Sequence, residues 1–146
     1  DALTSKALDQ LRTDIISAPT LTIQAAGGDK PFAIESVVNE RLLNANLAAG
    51  TNSINGTAVP AGKIWVITTA AISYIGTAPT WLSIHYSVGG VGMAAARNNS
   101  PVSLHVYDWS GHIFLSAGDY MQANVQGATA GDDLYLWYSG FQMNAP

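Results

Sequence analysis

The residues able to do chemistry in this 146-residue chain are few: three histidines, four aspartates after residue 100, and a glycine cluster. His85, His105 and His112, with Asp108 and Asp119 close in sequence, could hold Zn²⁺ or Fe²⁺ with an open position. None of them forms a His-x-His or His-Glu-x-x-His unit, and the paired histidines plus glutamate of an enzymatic cupin are missing. His85 and His105 share their side of an alternating segment with Ser83 and Ser103, a side that reads as facing solvent or a partner. Glycoside hydrolysis needs two carboxylates flanking a bond. No glutamate follows Glu40, and Asp132 and Asp133 are neighbours whose side chains diverge in an extended setting; they read as solvated turn residues. Gly89-Gly90-Val91-Gly92 lacks the lysine and the following helix of a phosphate loop, so it reads as a hairpin turn. No serine sits in a Gly-x-Ser-x-Gly elbow, and with no cysteine there is no thiolate, disulfide or zinc-thiolate site. Asn55-Gly56-Thr57 and Asn98-Asn99-Ser100 match a glycosylation acceptor pattern and fall in turns. The expectation is a protein without catalytic residues, metal or cofactor.

Trp65, Trp81, Trp109 and Trp137, helped by Tyr74, Tyr107 and Tyr135, could form a stacking platform for sugars. Large aromatics pack equally well in cores and interfaces. Composition narrows the classes further. Apolar residues make up 48% and charged ones 11%, which excludes a disordered chain. No run of 18 apolar residues occurs, so no membrane-spanning helix is expected. A net charge of -4 argues against a nucleic-acid partner held through phosphates.

The elements that must position these residues fall into two regimes. Asp1–Ile16 reads as a helix, with Leu3, Ala7, Leu8, Leu11 and Ile15 on one stripe and Pro19 as its stop. Residues 18–36 read as an extended arm in which Leu21 and Ile23 form a short strand. A strand is expected over Glu40–Leu47 and a polar connection over Gly50–Gly62. From Lys63 the pattern is β: Lys63–Ile75; Leu82–Val88; a return over Val91–Ala96; Val102–Tyr107; His112–Leu115 after a tight turn at Trp109-Ser110-Gly111; Met121–Val125; and Leu134–Phe141. Short strands at roughly 8–12-residue spacing predict an antiparallel sandwich or barrel. The division is thus 1–39, a helix and docking arm, and 40–146, an all-β sandwich.

Charge is distributed unevenly between them. Ten of the sixteen charged residues lie within the first 41, and none lies between Lys63 and Arg97. A lone domain keeps charge on its solvent face and sheet edges. Charge depletion with aromatic enrichment marks a buried interface instead. The expectation is an obligate assembly, a homotrimer being the closed form that suits a small sandwich. The candidate interface residues are Leu3, Leu8, Leu11, Ile15, Leu21 and Ile23 in the N-terminal segment, with Trp81, His85, His105 and Trp109 in the body.

Leu43–Leu47 through Gly50-Thr51, then Val59-Pro60-Ala61-Gly62-Lys63-Ile64-Trp65-Val66-Ile67, resembles small jelly-roll proteins of tailed bacteriophage virions. Phe114–Tyr120 and the closing stretch Leu134–Phe141 fit the same pattern, so the resemblance spans about residues 40–143. It implies a jelly-roll-like antiparallel β-sandwich acting as a capsid decoration or cement protein on the virion exterior, after synthesis in the host cytoplasm. Its partners would be itself and the major capsid protein or another virion protein, with no membrane or nucleic acid. The alternatives are a head- or tail-fibre domain that binds a host glycan, a free-standing carbohydrate-binding module, and a degenerate metal-binding cupin.

Overall fold

The computed structural model describes residues 34–146, which form eight strands and, within that range, no helix. They are β1 (Ile34–Asn44), β2 (Gly50–Asn55), β3 (Lys63–Ile75), β4 (Trp81–Val88), β5 (Val91–Asn98), β6 (Val106–Ser116), β7 (Tyr120–Ala128) and β8 (Asp133–Asn144). The helix and arm expected over residues 1–33 lie outside the described residues.

The topology is that of one long antiparallel hairpin rolled onto itself. Its tip is Gly89-Gly90, where φ is +58° and +81°. Two consecutive positive φ values give the primed two-residue turn whose twist matches paired strands, and glycine adopts them without a Cβ penalty. From that tip β4 pairs with β5, β3 with β6, β2 with β7 and β1 with β8. Rolling then adds the pairs β3 with β8 and β4 with β7. The result is two four-stranded antiparallel sheets, β1-β8-β3-β6 and β2-β7-β4-β5, in a jelly-roll-like sandwich.

Alternation fills the core. Leu134, Leu136 and Tyr138 of β8 and Ile67, Ala70, Ile72 and Tyr74 of β3 share it with Leu82, Ile84, Met121, Ala123 and Val125 of the second sheet. The phase changes between Ile67 and Ala70 because β3 carries one extra residue, Thr68, against β8. At this bulge the backbones crowd. A Cβ on Gly140 would strike the Val66 carbonyl and come within 2.8 Å of the Ile67 Cα, so only glycine fits there.

Two aspartates pin the ends of the sandwich, and neither is a merely solvated turn residue. Asp132 Oδ2 accepts hydrogen bonds from the Tyr74 hydroxyl (2.5 Å) and from the Thr77 and Thr129 amides (3.2 and 3.3 Å). Burial, then the neighbouring carboxylate, push the Tyr74 hydroxyl pKa up to about 12. Buried Asp119 accepts from the Ser116 amide and from the Gly89 amide, both at 2.9 Å, tying the β6–β7 turn to the hairpin tip.

Several expectations are corrected. The first strand is Ile34–Asn44 rather than Glu40–Leu47, and the polar stretch after Gly50 is partly strand β2. Val102–His105 precedes β6 instead of belonging to it. Trp109-Ser110-Gly111 is no turn: β6 runs through it, with Gly111 and His112 bulging opposite Thr68. Ser83, whose side read as facing solvent or a partner, is buried on the central strand β4, as is Ser87 two periods of the alternation further on.

Candidate functional site

With the core filled from the inner faces, the outer face of each sheet is what the described domain offers to a partner. The two faces differ sharply in chemistry.

On the β1-β8-β3-β6 sheet, strand register sets side chains in four rows. Val37, Phe141, Val66 and Phe114 make an apolar row across all four strands. Beyond it come Asn39, Ser139, Thr69 and Ser110, then Arg41, Trp137, Ala71 and Asp108, then Leu43, Tyr135, Ser73 and Val106. The large apolar edge residues stand open to water: Val37 is 77% exposed, Phe114 65%, Val106 52% and Leu43 51%. Tyr135 and Trp137 stack with ring centroids 5.5 Å apart, and the Arg41 guanidinium lies 6.0 Å from the Tyr135 centroid. A shallow depression beside them is lined by Thr69, Ala71, Asp108, Ser110, Trp137 and Ser139. Isolated exposed hydrophobics are ordinary. Here they repeat along both edge strands, in two apolar rows set either side of the polar row of Asn39, Ser139, Thr69 and Ser110, which makes this face the candidate for contact with a partner.

The outer face of β2-β7-β4-β5 is polar and nearly uncharged. Gln122 donates to Asn55 (2.7 Å) and Asn124 donates to Gln122 (3.0 Å), an amide chain across β2 and β7. The Trp81 indole N–H donates to Gln126, and the Arg97 guanidinium sits 4.4 Å over the Trp81 ring. The buried Ser83 hydroxyl has no hydrogen-bond partner among the described residues. His85 is half-buried beside it, and burial, then the Arg97 charge, hold its pKa below the ordinary imidazole value.

The candidate interface residues are therefore not gathered in one place. Trp81 and His85 share the polar face on β4. Exposed His105 lies in the segment before β6, its ring 4.7 Å from that of Tyr107. Trp109 is half-buried against the core. Leu3, Leu8, Leu11, Ile15, Leu21 and Ile23 lie outside the described residues. Among the described residues no group of three or more histidine, aspartate or glutamate side chains converges as metal ligands would. Nor do the tryptophans share a platform: Trp65 is buried, Trp109 packs on the core, Trp81 lies under Arg97 and Trp137 stacks on Tyr135.

Sequence reasoning missed Val37, Leu43, Val106, Phe114 and Phe141 as surface candidates, and weighed Trp137 only as part of a sugar platform. The signal existed for Phe114. It stands between Ile113 and Leu115, both inward on a period of two, so a large apolar side chain must point outward.

No protein-family model matches the chain, and no curated protein sequence matches it. Solved structures do. A chain of the acidic stable capsid structure of Helicobacter pylori bacteriophage KHP30 is similar at TM-score 0.55 and 10% identity, over 75% of this chain and 90% of that one. A chain of Bacillus endospore appendages, a family of disulfide-linked pili, reaches TM-score 0.42 at 13% identity, over 87% and 99%. A pentameric capsid protein from metagenomic phage sequences reaches 0.33 at 15% identity, over 95% and 88%. At these identities the likeness is one of fold alone, and of the three only the first exceeds a TM-score of 0.5.

Proposed function

We propose that this chain is a structural protein of a phage virion, of the capsid decoration or cement type, which works by self-association and by bracing neighbouring shell subunits. The observation that carries the reading is the exposed apolar and aromatic outer face of the β1-β8-β3-β6 sheet, a surface built to be covered by protein. The fold shared with a phage capsid chain supports the setting. Many modest contacts repeated over a lattice hold persistently, because each bound point raises the effective concentration of the next. No catalytic step is needed for that role.

Within this reading the working assembly is a homotrimer on the capsid exterior. Leu3, Leu8, Leu11, Ile15, Leu21 and Ile23 supply a clamp or strap to the shell or to adjacent trimers. Trp81, His85, His105 and Trp109 belong to contacts with copies or with the major capsid protein. The test is the copy number of this chain in purified particles whose genome encodes it, by quantitative mass spectrometry. Stoichiometry in a fixed ratio to the shell subunit is expected. Absence from the particle overturns the proposal, and confinement to a few copies at the tail overturns the decoration role.

A further inference from the structure

We propose that the outer face of the β1-β8-β3-β6 sheet binds the same face of a second copy, about a two-fold axis that runs along the strands. The inference rests on the self-association proposed above and adds to it a second contact, a two-fold between copies of neighbouring trimers that is distinct from the three-fold within each.

Such an axis sets β1 of one copy over β6 of the other and β8 over β3, with each row facing itself reversed. The strand register then makes four matches. In the first row Val37 meets the second copy's Phe114, and Phe141 lies over Val66, which is itself buried. In the second, Asn39 meets Ser110 and Ser139 meets Thr69, polar on polar. In the third, Arg41 meets Asp108, so the row carries two reciprocal ion pairs, and Trp137 meets Ala71. In the fourth, Leu43 meets Val106, and Tyr135 lies over buried Ser73.

Two regularities decide for this arrangement. The bulky outward residues of β8 (Tyr135, Trp137, Phe141) always fall opposite smaller residues of β3 (Ser73, Ala71, Val66); Ser73 and Val66 are already buried, and half-buried Ala71 is the one able to receive a side chain. The depression beside Ala71 is where the partner's indole would seat. Charge is complementary as well: Arg41 and Asp108 are both exposed, and neither makes an ion pair within the described residues. A two-fold axis across the strands would instead bring β1 over β1 and set each charge against an apolar or neutral side chain, which rewards neither.

The face is large enough. Four strands at about 4.8 Å and the seven to nine residues of each strand that the four rows span, at about 3.3 Å, give a patch of about 19 by 26 Å, or about 1,000 Å² over two copies, the size of a small or transient specific interface. Sheets packed face to face stand about 10 Å apart with strands within about 30° of alignment, which suits an axis along them.

The test uses the full chain and its charge-reversed variants, followed by sedimentation equilibrium from micromolar concentrations upward. Arg41→Asp and Asp108→Arg should each weaken association at least about tenfold, because the facing charges become alike. The double variant R41D/D108R, with both signs exchanged, should recover it. Because the chain contains no cysteine, Asn39→Cys and Ser110→Cys provide a second readout. A short bis-maleimide should bridge the mixed pair and leave each variant alone unbridged. An association indifferent to the single reversals, a double variant as weak as its parents, or bridging of N39C to itself overturns the two-fold face and leaves self-association standing. A wild type that stays monomeric overturns both.

Discussion

The two sheets of this sandwich are built on one plan, yet their outer faces have opposite chemistry. On β2-β7-β4-β5 the outward side chains are mostly amides and hydroxyls, with His85, Trp81 and Arg97, and they satisfy one another: Asn124 donates to Gln122, Gln122 to Asn55 and Trp81 to Gln126, with Arg97 over the Trp81 ring. Such a face is content in water. On β1-β8-β3-β6 the outward positions carry Val37, Leu43, Val106, Phe114 and the Tyr135–Trp137 stack, which satisfy nothing by staying exposed. The scarcity of charge, taken from the sequence as one property, therefore has two causes. Part of it is position: β3 and β4 are flanked by strands on both sides, so even their outward serines Ser73, Ser83 and Ser87 are buried. Position does not account for the apolar residues on the edge strands β1 and β6, and these are what the proposed adhesive role rests on.

The contrast can be broken most sharply within one strand. Leu136 is wholly buried, and its neighbour Trp137 points outward. Leu136→Ala should cost about 2–5 kcal/mol of unfolding free energy by chemical denaturation. Trp137→Ala should cost the isolated chain about 1 kcal/mol or less, while lowering its sedimenting mass at a given concentration. Equal losses of stability would mean that the outer face is part of the folding core. Next in size, Asp119→Ala should cost about 2–3 kcal/mol, since it strips the Ser116 and Gly89 amides of their buried acceptor. It should do so without changing the association constant, because this clasp belongs to neither face.

A smaller effect has the opposite sign. Leu104 is 71% exposed with φ +65°, a left-handed conformation that costs a residue with a Cβ about 1–2 kcal/mol. Leu104→Gly should raise the thermal midpoint of the dilute chain. If it also weakens assembly, the apolar surface extends past Val106 into the loop; if mass is unchanged, the surface ends at β6. The last prediction concerns acid. Burial opposes ionisation of Glu40, but hydrogen bonds from Thr57 and Tyr138 outweigh it and hold the carboxyl below its usual pKa. A carboxyl depressed in the fold gives stability that is complete above its unfolded pKa and is lost as pH falls through the folded value. Denaturation midpoints should therefore decline on acidification below about pH 4.5, with a shallower slope in Glu40→Gln.

Much of the fold was legible residue by residue. Leu82-Ile84-Tyr86 and Met121-Ala123-Val125 alternate cleanly, and Gly89-Gly90 announces the tip. β2 escaped because Gly50–Asn55 is an edge strand with one buried side chain, Ile54, and so carries no alternation. The bulge at Gly111-His112 looked like a turn because an extra residue breaks the period of two as a turn does. Val102–His105 failed for the reverse reason: it alternates by chance and forms no ladder. The candidate surface was legible only in outline. Scarce charge raised the expectation of a covered body, but the residues chosen for it scattered over the polar face, the core edge and a loop.

By itself the sequence determined that this is a β protein, where most of its strands lie and that its body is poor in charge, because alternation and composition are local properties that a chain carries before it folds. Only the tertiary structure decided which side chains meet across strands. Register joins residues as distant as Val37, Val66, Phe114 and Phe141 into one row, and register is fixed by the rolled pairing of strands far apart in the chain.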